Sequence, residues 1–508
     1  MTFPPVPTYL ASASALDAFS GAPSGKLTAQ LTRNEDDSAF ALLDTFDEDL
    51  RQRGMCLLQA GAELILWTAD GAMLGQSGVG APARFVADLP SGLVKDALGC
   101  VPALRSLVPL GQGRLSSAQL ALVDDEEKTQ ARAKFHVLAT EVGQGVAIAQ
   151  LQSLRGYDKA FEQLQNDLTL AGALPLTQAH PLKALFPDHQ PYVAKPKLDL
   201  AEDATAFETA NAIIGAYLPV ARRNEQGVID DIDVEYLHDY RIALRKIRSV
   251  ISLFKGVYSD KQTEKLKQRF SDLMAPTGRL RDLDVYLLER DFFYDLLPET
   301  LLGGLDRMSE IFSTERENEL QKLSKHLKSK GYETEITKLI HLFDTPKKLH
   351  AGPAAEEPAH DFASALIWKR YRKICKIAAG IDDRTEDEEV HELRIQCKKL
   401  RYLMEFFQPA FPKNEFKSLI KPLKKLQDNL GLFNDYSVQQ ESLKDFLSGL
   451  KADDHVANMQ LAQSVGALIA VLHQRQLAER QKVVESFAAF NSPATQATFR
   501  DLFHGGKG

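Results

Sequence analysis

Two histidines, His238 and His391, each open the same run of cationic side chains. The first run holds Arg241, Arg245, Lys246 and Arg248; the second holds Arg394, Lys398, Lys399 and Arg401. A guanidinium presents a planar fork that fits two oxygens of a phosphate or carboxylate, an ammonium is a compact point charge, and an imidazole gains a proton close to neutral pH. The chemistry this set can do is anion binding, and its repetition hints at a polyanion. The two runs are offset by 153 residues (391 − 238), and the offset continues without a gap: Phe254 matches Phe407, Leu273 matches Leu426, Gly278 matches Gly431, Asp282 matches Asp435 and Val285 matches Val438. A repeat of this length implies two copies of one structural unit, related by a pseudo-twofold axis.

The elements that must carry these side chains are helices. At 100° per residue, His238, Arg241, Arg245 and Arg248 fall within an arc of roughly 80°. Leu244, Ile247, Val250, Ile251 and Phe254 take the opposite side. The second copy repeats the design, with His391, Arg394, Lys398 and Arg401 on one face and Leu400, Leu403 and Phe407 on the other. A charge run is most often a solvated helix face. Such a face normally mixes signs at i,i+4, whereas this stripe reads as almost purely cationic and carries a repulsion of a few tenths of a kcal/mol per pair. An anionic partner would remove that cost. Further cations could join the same surfaces: Arg222 and Arg223 before the first copy, Arg370, Arg372 and Lys373 before the second, Arg279 and Arg281 after the first, and Lys421, Lys424 and Lys425 on the matching helix of the second. Singly, each is an ordinary surface charge. Asp282 and Asp435 would either orient these cations or cap helices. A duplicated Glu-x-x-His, at Glu235/His238 and Glu388/His391, fits half of a di-iron bundle site. The arginines one turn away disfavour a dication there, so no metal and no cofactor is expected.

The whole chain holds 508 residues, a length prior of about three domains. Net charge is −8, which argues against a protein that coats nucleic acid. Residues 1–200 contribute 16 basic and 22 acidic residues, the remainder 45 and 47, so any anion site must come from local arrangement. No basic, then apolar leader opens the chain, the apolar run Val465–Leu472 is too short to span a bilayer, and the four cysteines show no Cys-x-x-Cys spacing. A soluble cytoplasmic protein without a membrane partner is expected. Short apolar stretches alternating with turn residues make 1–170 β-rich, ending in a helix over Lys159–Leu170. Five prolines mark 171–202 as a linker. From 203 the apolar period becomes that of long helices, giving an all-α repeat over 203–345, a break over 346–360, a second repeat over 361–490 and a tail over 491–508 whose last residues, Gly505 to Gly508, are expected to be disordered. The fold class is α+β: an antiparallel β-rich domain followed by two pseudo-twofold-related four-helix bundles.

With both copies in order, the region 203–490 resembles the CHAD family, the conserved histidine α-helical domain. The resemblance rests on His-x-x-Arg-x-x-x-Arg/Lys-Lys-x-Arg in each copy, with the segments Leu280–Val285 and Leu430–Asp435. It implies binding of inorganic polyphosphate in a basic groove between the bundles, residence on polyphosphate granules, and ligand contacts from the two cationic runs, His238 to Arg248 and His391 to Arg401. The N-terminal region resembles a CYTH domain, the triphosphate-tunnel fold, through Leu43–Leu50 and Leu154–Lys159. The family's Glu-x-Glu-x-Lys is missing; Lys26–Leu31 stands in its place. Without paired carboxylates there is little to hold Mg²⁺ or Mn²⁺, so this domain is expected to be degenerate and non-catalytic, serving contacts with other granule proteins. The alternatives are a metal-dependent triphosphatase or polyphosphatase acting through the N-terminal domain, and a nucleic-acid-binding protein. The latter would need exposed aromatics, and only Tyr240 and Tyr402 lie near the basic helices.

Overall fold

The computed structural model describes residues 7–34, 37–80, 84–198, 200–201, 203–382, 384–450 and 455–504. The first six residues, where a leader was sought, and the tail Gly505–Gly508 lie outside the described residues. The chain divides into two compact units, Met1–Val193 and Ala194–Gly508.

The first unit is one antiparallel sheet of β1 (Thr8–Ser12), β2 (Pro23–Ser24), β3 (Leu27–Arg33), β4 (Ser38–Asp44), β5 (Cys56–Ala60), β6 (Glu63–Trp67), β7 (Met73–Gln76), β8 (Val108–Val123), β9 (Thr129–Ala139), β10 (Gly145–Ser153) and β11 (Leu174–Pro175). The order runs β11-β1-β10-β9-β8-β4-β5-β6-β7. The long strand β8 carries β9 on one edge and both β4 and β3 on the other. Strict alternation gives the sheet two apolar faces. Ala131, Ala133, Phe135 and Val137 of β9 pack under α1 (Asp158–Leu170) through Leu164 and Leu168. The opposite face is filled by Leu10, Phe40, Leu58, Trp67, Leu138 and Ile148. The hydroxyl of Thr8, at the start of β1, donates to the carbonyl of Gly71 in the β6–β7 turn at 2.7 Å, so the curled sheet is fastened by a side chain where no ladder closes it.

The stretch expected as a linker is largely part of this unit. Pro181 opens a short helix, Pro181–Leu185, whose start is capped by His180 Nδ1 accepting from the Leu182 N–H at 3.2 Å. Leu176, Leu182 and Leu185 are buried against the sheet. Proline is at home in a first helical turn, so proline density alone overstated the linker, and the i,i+3 leucines were the better signal.

The second unit is helical: α2 (Ala206–Ile229), α3 (Val234–Leu253), α4 (Asp260–Met274), α5 (Gly278–Leu288), α6 (Leu302–Leu327), α7 (Lys330–Asp344), α8 (Ala359–Ala378), α9 (Asp387–Phe407), α10 (Lys413–Ser448), α11 (His455–Gln481), α12 (Val483–Phe490) and α13 (Pro493–Phe503). The offset of 153 seen in the basic runs fixes the helix starts as well: Ala206 and Ala359, Val234 and Asp387, Asp260 and Lys413, Leu302 and His455, Lys330 and Val483. One helix, α10, replaces the pair α4 and α5. Pro276 breaks the first copy because it lacks the N–H a continuing helix needs; Asn429 holds the matching position within α10. The segment expected as a tail folds back as α13. Its Phe499 stacks on Tyr371 of α8 at 4.0 Å and 7°.

Residues that match across the repeat touch one another. Phe254 stacks on Phe407 at 5.0 Å and 14°. Tyr286 donates to the carbonyl of Gln439 at 3.1 Å. A residue meets its own copy only at a twofold axis, so the pseudo-axis passes between these pairs. A single core, including Tyr286, Phe312, Leu443, Val465 and Leu472, joins the two halves. No helix of the described residues is long and apolar enough to cross a membrane.

Phe254 and Phe407 are 2% and 0% exposed. Phe407→Ala is expected to cost about 3–5 kcal/mol of unfolding free energy, measured by chemical denaturation followed by circular dichroism.

Candidate anion-binding site

The site is built on α3 and α9, one from each repeat. Asp233 starts α3 by accepting from the N–H groups of Glu235 and Tyr236 at 2.9 and 3.3 Å. Asp387, Glu388 and Glu389 occupy the first turn of α9, where they complement the helix dipole. Each helix buries one apolar face, Leu237, Leu244, Ile247 and Ile251 in α3 and Leu393, Leu400, Leu403 and Phe407 in α9. The cationic faces are thereby turned toward each other across the axis.

Arg245 and Lys398 are repeat equivalents and sit close enough to repel. Burial, and after it Arg245 and Arg394, push the Lys398 ammonium down to about 8. Burial followed by Arg245 lowers Arg241, and burial lowers Arg394, with Arg245 adding to it. Tyr402 stands among these groups: its hydroxyl is hydrogen-bonded to Arg245, and the ammonium groups of Lys246 and Lys398 lie 4.7 and 6.0 Å from its ring centroid. Arg241 Nη1 donates to the Thr277 hydroxyl, and the Asp282 carboxylate lies near it. In the second repeat Arg394 reaches Asp435 at 3.8 Å. Asp282 and Asp435 thus flank matching arginines rather than cap helices. Arg241 Nε and Arg281 Nη1 are buried without a hydrogen-bond partner among the described residues. Unsatisfied buried donors are costly, and here they belong to two cations close enough to repel each other.

The remaining candidates divide. Lys246 and Arg401 join the group but are both paired with Glu405, Arg401 at 2.7 Å. Arg248 and His391 are exposed, and His238 is half-buried one turn before Arg241. Arg370, Lys373 and Lys399 form a second group on the α8 side of α9. There Arg370 donates to Gln396, Lys373 pairs with Glu392 at 2.7 Å, and burial, then Arg370, lowers Lys399. Arg222 is held by Glu225 and Glu333, each at 2.8 Å, and Arg279 by Glu315 in a bidentate pair at 2.6 Å. Arg223, Arg372, Lys421, Lys424 and Lys425 are exposed, and Lys421 and Lys425 line a separate hollow beside Phe490. Sequence reasoning missed Glu405, Thr277 and the placement of Tyr402. For Glu405 a signal existed, because it follows Arg401 by four residues and shares its face. Among the described residues no group of three or more His, Cys, Asp or Glu could hold a metal ion.

In the first unit, Arg132 and Lys134 project from β9 into a cleft of 770 Å³ lined also by Gln30, Thr32, Gln119, Gln150 and Gln152. No carboxylate belongs to its described lining.

Residues 212–444 match the family model of the CHAD domain. They form a CHAD domain. The chain is similar to the crystal structure of the CHAD domain from the plant Ricinus communis, with 24% identity and a TM-score of 0.44, covering 61% of this chain and 95% of that one. It is similar also to PptA from Streptomyces chartreusis, with 15% identity and a TM-score of 0.41, covering 58% of this chain and 99% of that one. No curated protein matches the chain. The matched span contains both cationic runs, the Tyr402 hub and the axis between the halves of the CHAD domain.

Lys398 gives the free CHAD domain a pH signature. Its unfolded value is near 10.5 and its folded value is about 8. Between these limits the unfolded chain holds the proton the folded one has lost, so stability rises with pH across the window. The rise is no more than about 1.4 kcal/mol per pH unit. Unfolding free energies of wild type and Lys398→Met from pH 7 to 10.5 are expected to differ in this slope, with the variant flatter.

Proposed function

We propose that the protein binds inorganic polyphosphate through its CHAD domain, resides on polyphosphate granules in the cytoplasm, and performs no catalysis of its own. The observation that carries this reading is the Arg245–Lys398 pair. Two cations from different repeats face each other on the axis, with Arg241, Arg281 and Arg394 beside them and too few carboxylates to neutralise the set. Successive phosphates of a flexible polyanion would satisfy the orphaned guanidinium donors and cancel the repulsion through charge-assisted hydrogen bonds and counterion release. The polymer offers this to a rigid helical scaffold without any base to be read.

Two other readings are less well supported. A triphosphatase or polyphosphatase in the first unit would need a metal site, and the cleft around Arg132 and Lys134 offers carboxamides and hydroxyls instead of carboxylates. We read this unit as a degenerate relative of the triphosphate tunnel, used for contacts with other granule proteins. Nucleic-acid binding would need a stacking platform, yet Tyr240 is 1% exposed and Tyr402 9% exposed.

The test is binding of long-chain polyphosphate to the full chain across a salt series, with a single-stranded nucleic acid competitor. For about six phosphate contacts, log K is expected to fall against log salt with a slope near −4. Binding that the competitor abolishes at equal phosphate concentration would sink the reading. The double variant Arg241→Ala, Arg394→Ala is expected to weaken binding by about a hundredfold or more, with a slope shallower by about 1.4 and a thermal transition no lower than wild type. With Mg²⁺ or Mn²⁺ present, no phosphate release is expected.

A further inference from the structure

Glu405 lies inside the cationic cluster yet belongs to neither run. It sits on the last turn of α9, one turn beyond Arg401, and holds two cations at once. Its carboxylate accepts from Arg401 at 2.7 Å within its own helix and from the Lys246 ammonium across the pseudo-axis. The group is continuous with the rest of the site. Tyr402 contacts Lys246 and Arg245 and lies near Arg401 and Glu405, and Lys398 feels both Arg245 and Arg401. Burial would raise the Glu405 carboxyl; the two cations more than offset it and hold it below the usual carboxylate range. It is therefore a fixed anion, beside Asp282 and Asp435, in a site whose cations repel one another.

The repeat supplies a control. The matching position in the first copy is Ser252 (405 − 153), which is exposed and carries no charge. The two halves are joined at the axis by Phe254 on Phe407 and by the shared core of α6 and α11. The scaffold thus does without an acid at one of two equivalent positions. A clasp needed for packing would be expected in both.

We propose that Glu405 is an internal counter-anion that closes one end of the polyphosphate groove, occupying Lys246 and Arg401 until a phosphate competes for them. This rests on the polyphosphate reading and adds a limit to it. In the free protein these two cations have already shed their counterions to Glu405, so a polyanion gains less there than at Arg241, Arg245, Arg394 and Lys398. The groove is one-sided: it is capped at Glu405 and uncapped at Ser252. Arg401, with its side chain 37% exposed, is the cation a phosphate reaches first at the capped end.

The experiment measures long-chain polyphosphate binding to full-length wild type, Glu405→Gln and Ser252→Glu across a salt series, with thermal unfolding of each in the absence of ligand. Glu405→Gln is expected to bind about tenfold tighter at physiological salt, with a slope steeper by about 1.4 for two released cations. Ser252→Glu, which places the missing acid at the exposed equivalent, is expected to bind more weakly with a shallower slope. Wild-type binding together with a Glu405→Gln variant that binds no tighter at an unchanged slope overturns the counter-anion and leaves polyphosphate binding standing. Wild-type protein that does not bind polyphosphate overturns both. If Glu405→Gln loses its cooperative unfolding transition, Ser252→Glu decides, and an unchanged slope there overturns the proposal.

Discussion

A twofold axis forces whatever lies on it against its own copy. For aromatic rings this is favourable, and Phe254 on Phe407 is the result. For a cation it is unfavourable, and Arg245 against Lys398 is the result. Both follow from one event in the sequence, the duplication at an offset of 153, and from the choice of α3 and α9 as the helices that meet. The apolar faces of these helices fix how they pack, so the cationic faces cannot turn away. Much of the electrostatic character of the domain is a consequence of that geometry.

The surrounding helices work within this constraint. The break at Pro276 delivers Thr277 to Arg241, whereas the unbroken α10 leaves Arg394 to lean on Asp435. Glu315 takes Arg279, and Glu225 with Glu333 takes Arg222. Carboxylates outside the axis thus hold the peripheral cations as ordinary ion pairs, and the central ones keep their excess. The division explains why basic residues that look alike in a sequence differ in what they can do.

The repeat, the cationic stripe and the change from β-rich to helical structure were all legible, because each is written as a period or an offset. What was illegible depended on contacts between segments distant in the chain. Lys246 and Lys399 occupy identical positions in the motif, yet one crosses to Glu405 and Tyr402 while the other faces Arg370 and Lys373. No spacing rule separates them. Pro181 and the residues after Asn491 were misread for a local reason: proline and small polar residues mark helix starts as readily as they mark linkers. Leu182, Leu185, Phe499 and Phe503 carried the correcting signal, since buried apolar side chains at helical spacing have no place in a solvated tether.

Joining the two repeats in one chain has a further consequence at the axis. A homodimer with the same geometry would carry two arginines there or two lysines, because both positions would share one codon. A fused pair escapes that identity. Here a guanidinium faces an ammonium, and burial, followed by Arg245 and Arg394, brings Lys398 down to about 8. The axis therefore pairs two cations of different chemistry, and the lysine can shed a proton from it where a second arginine would add to the crowding.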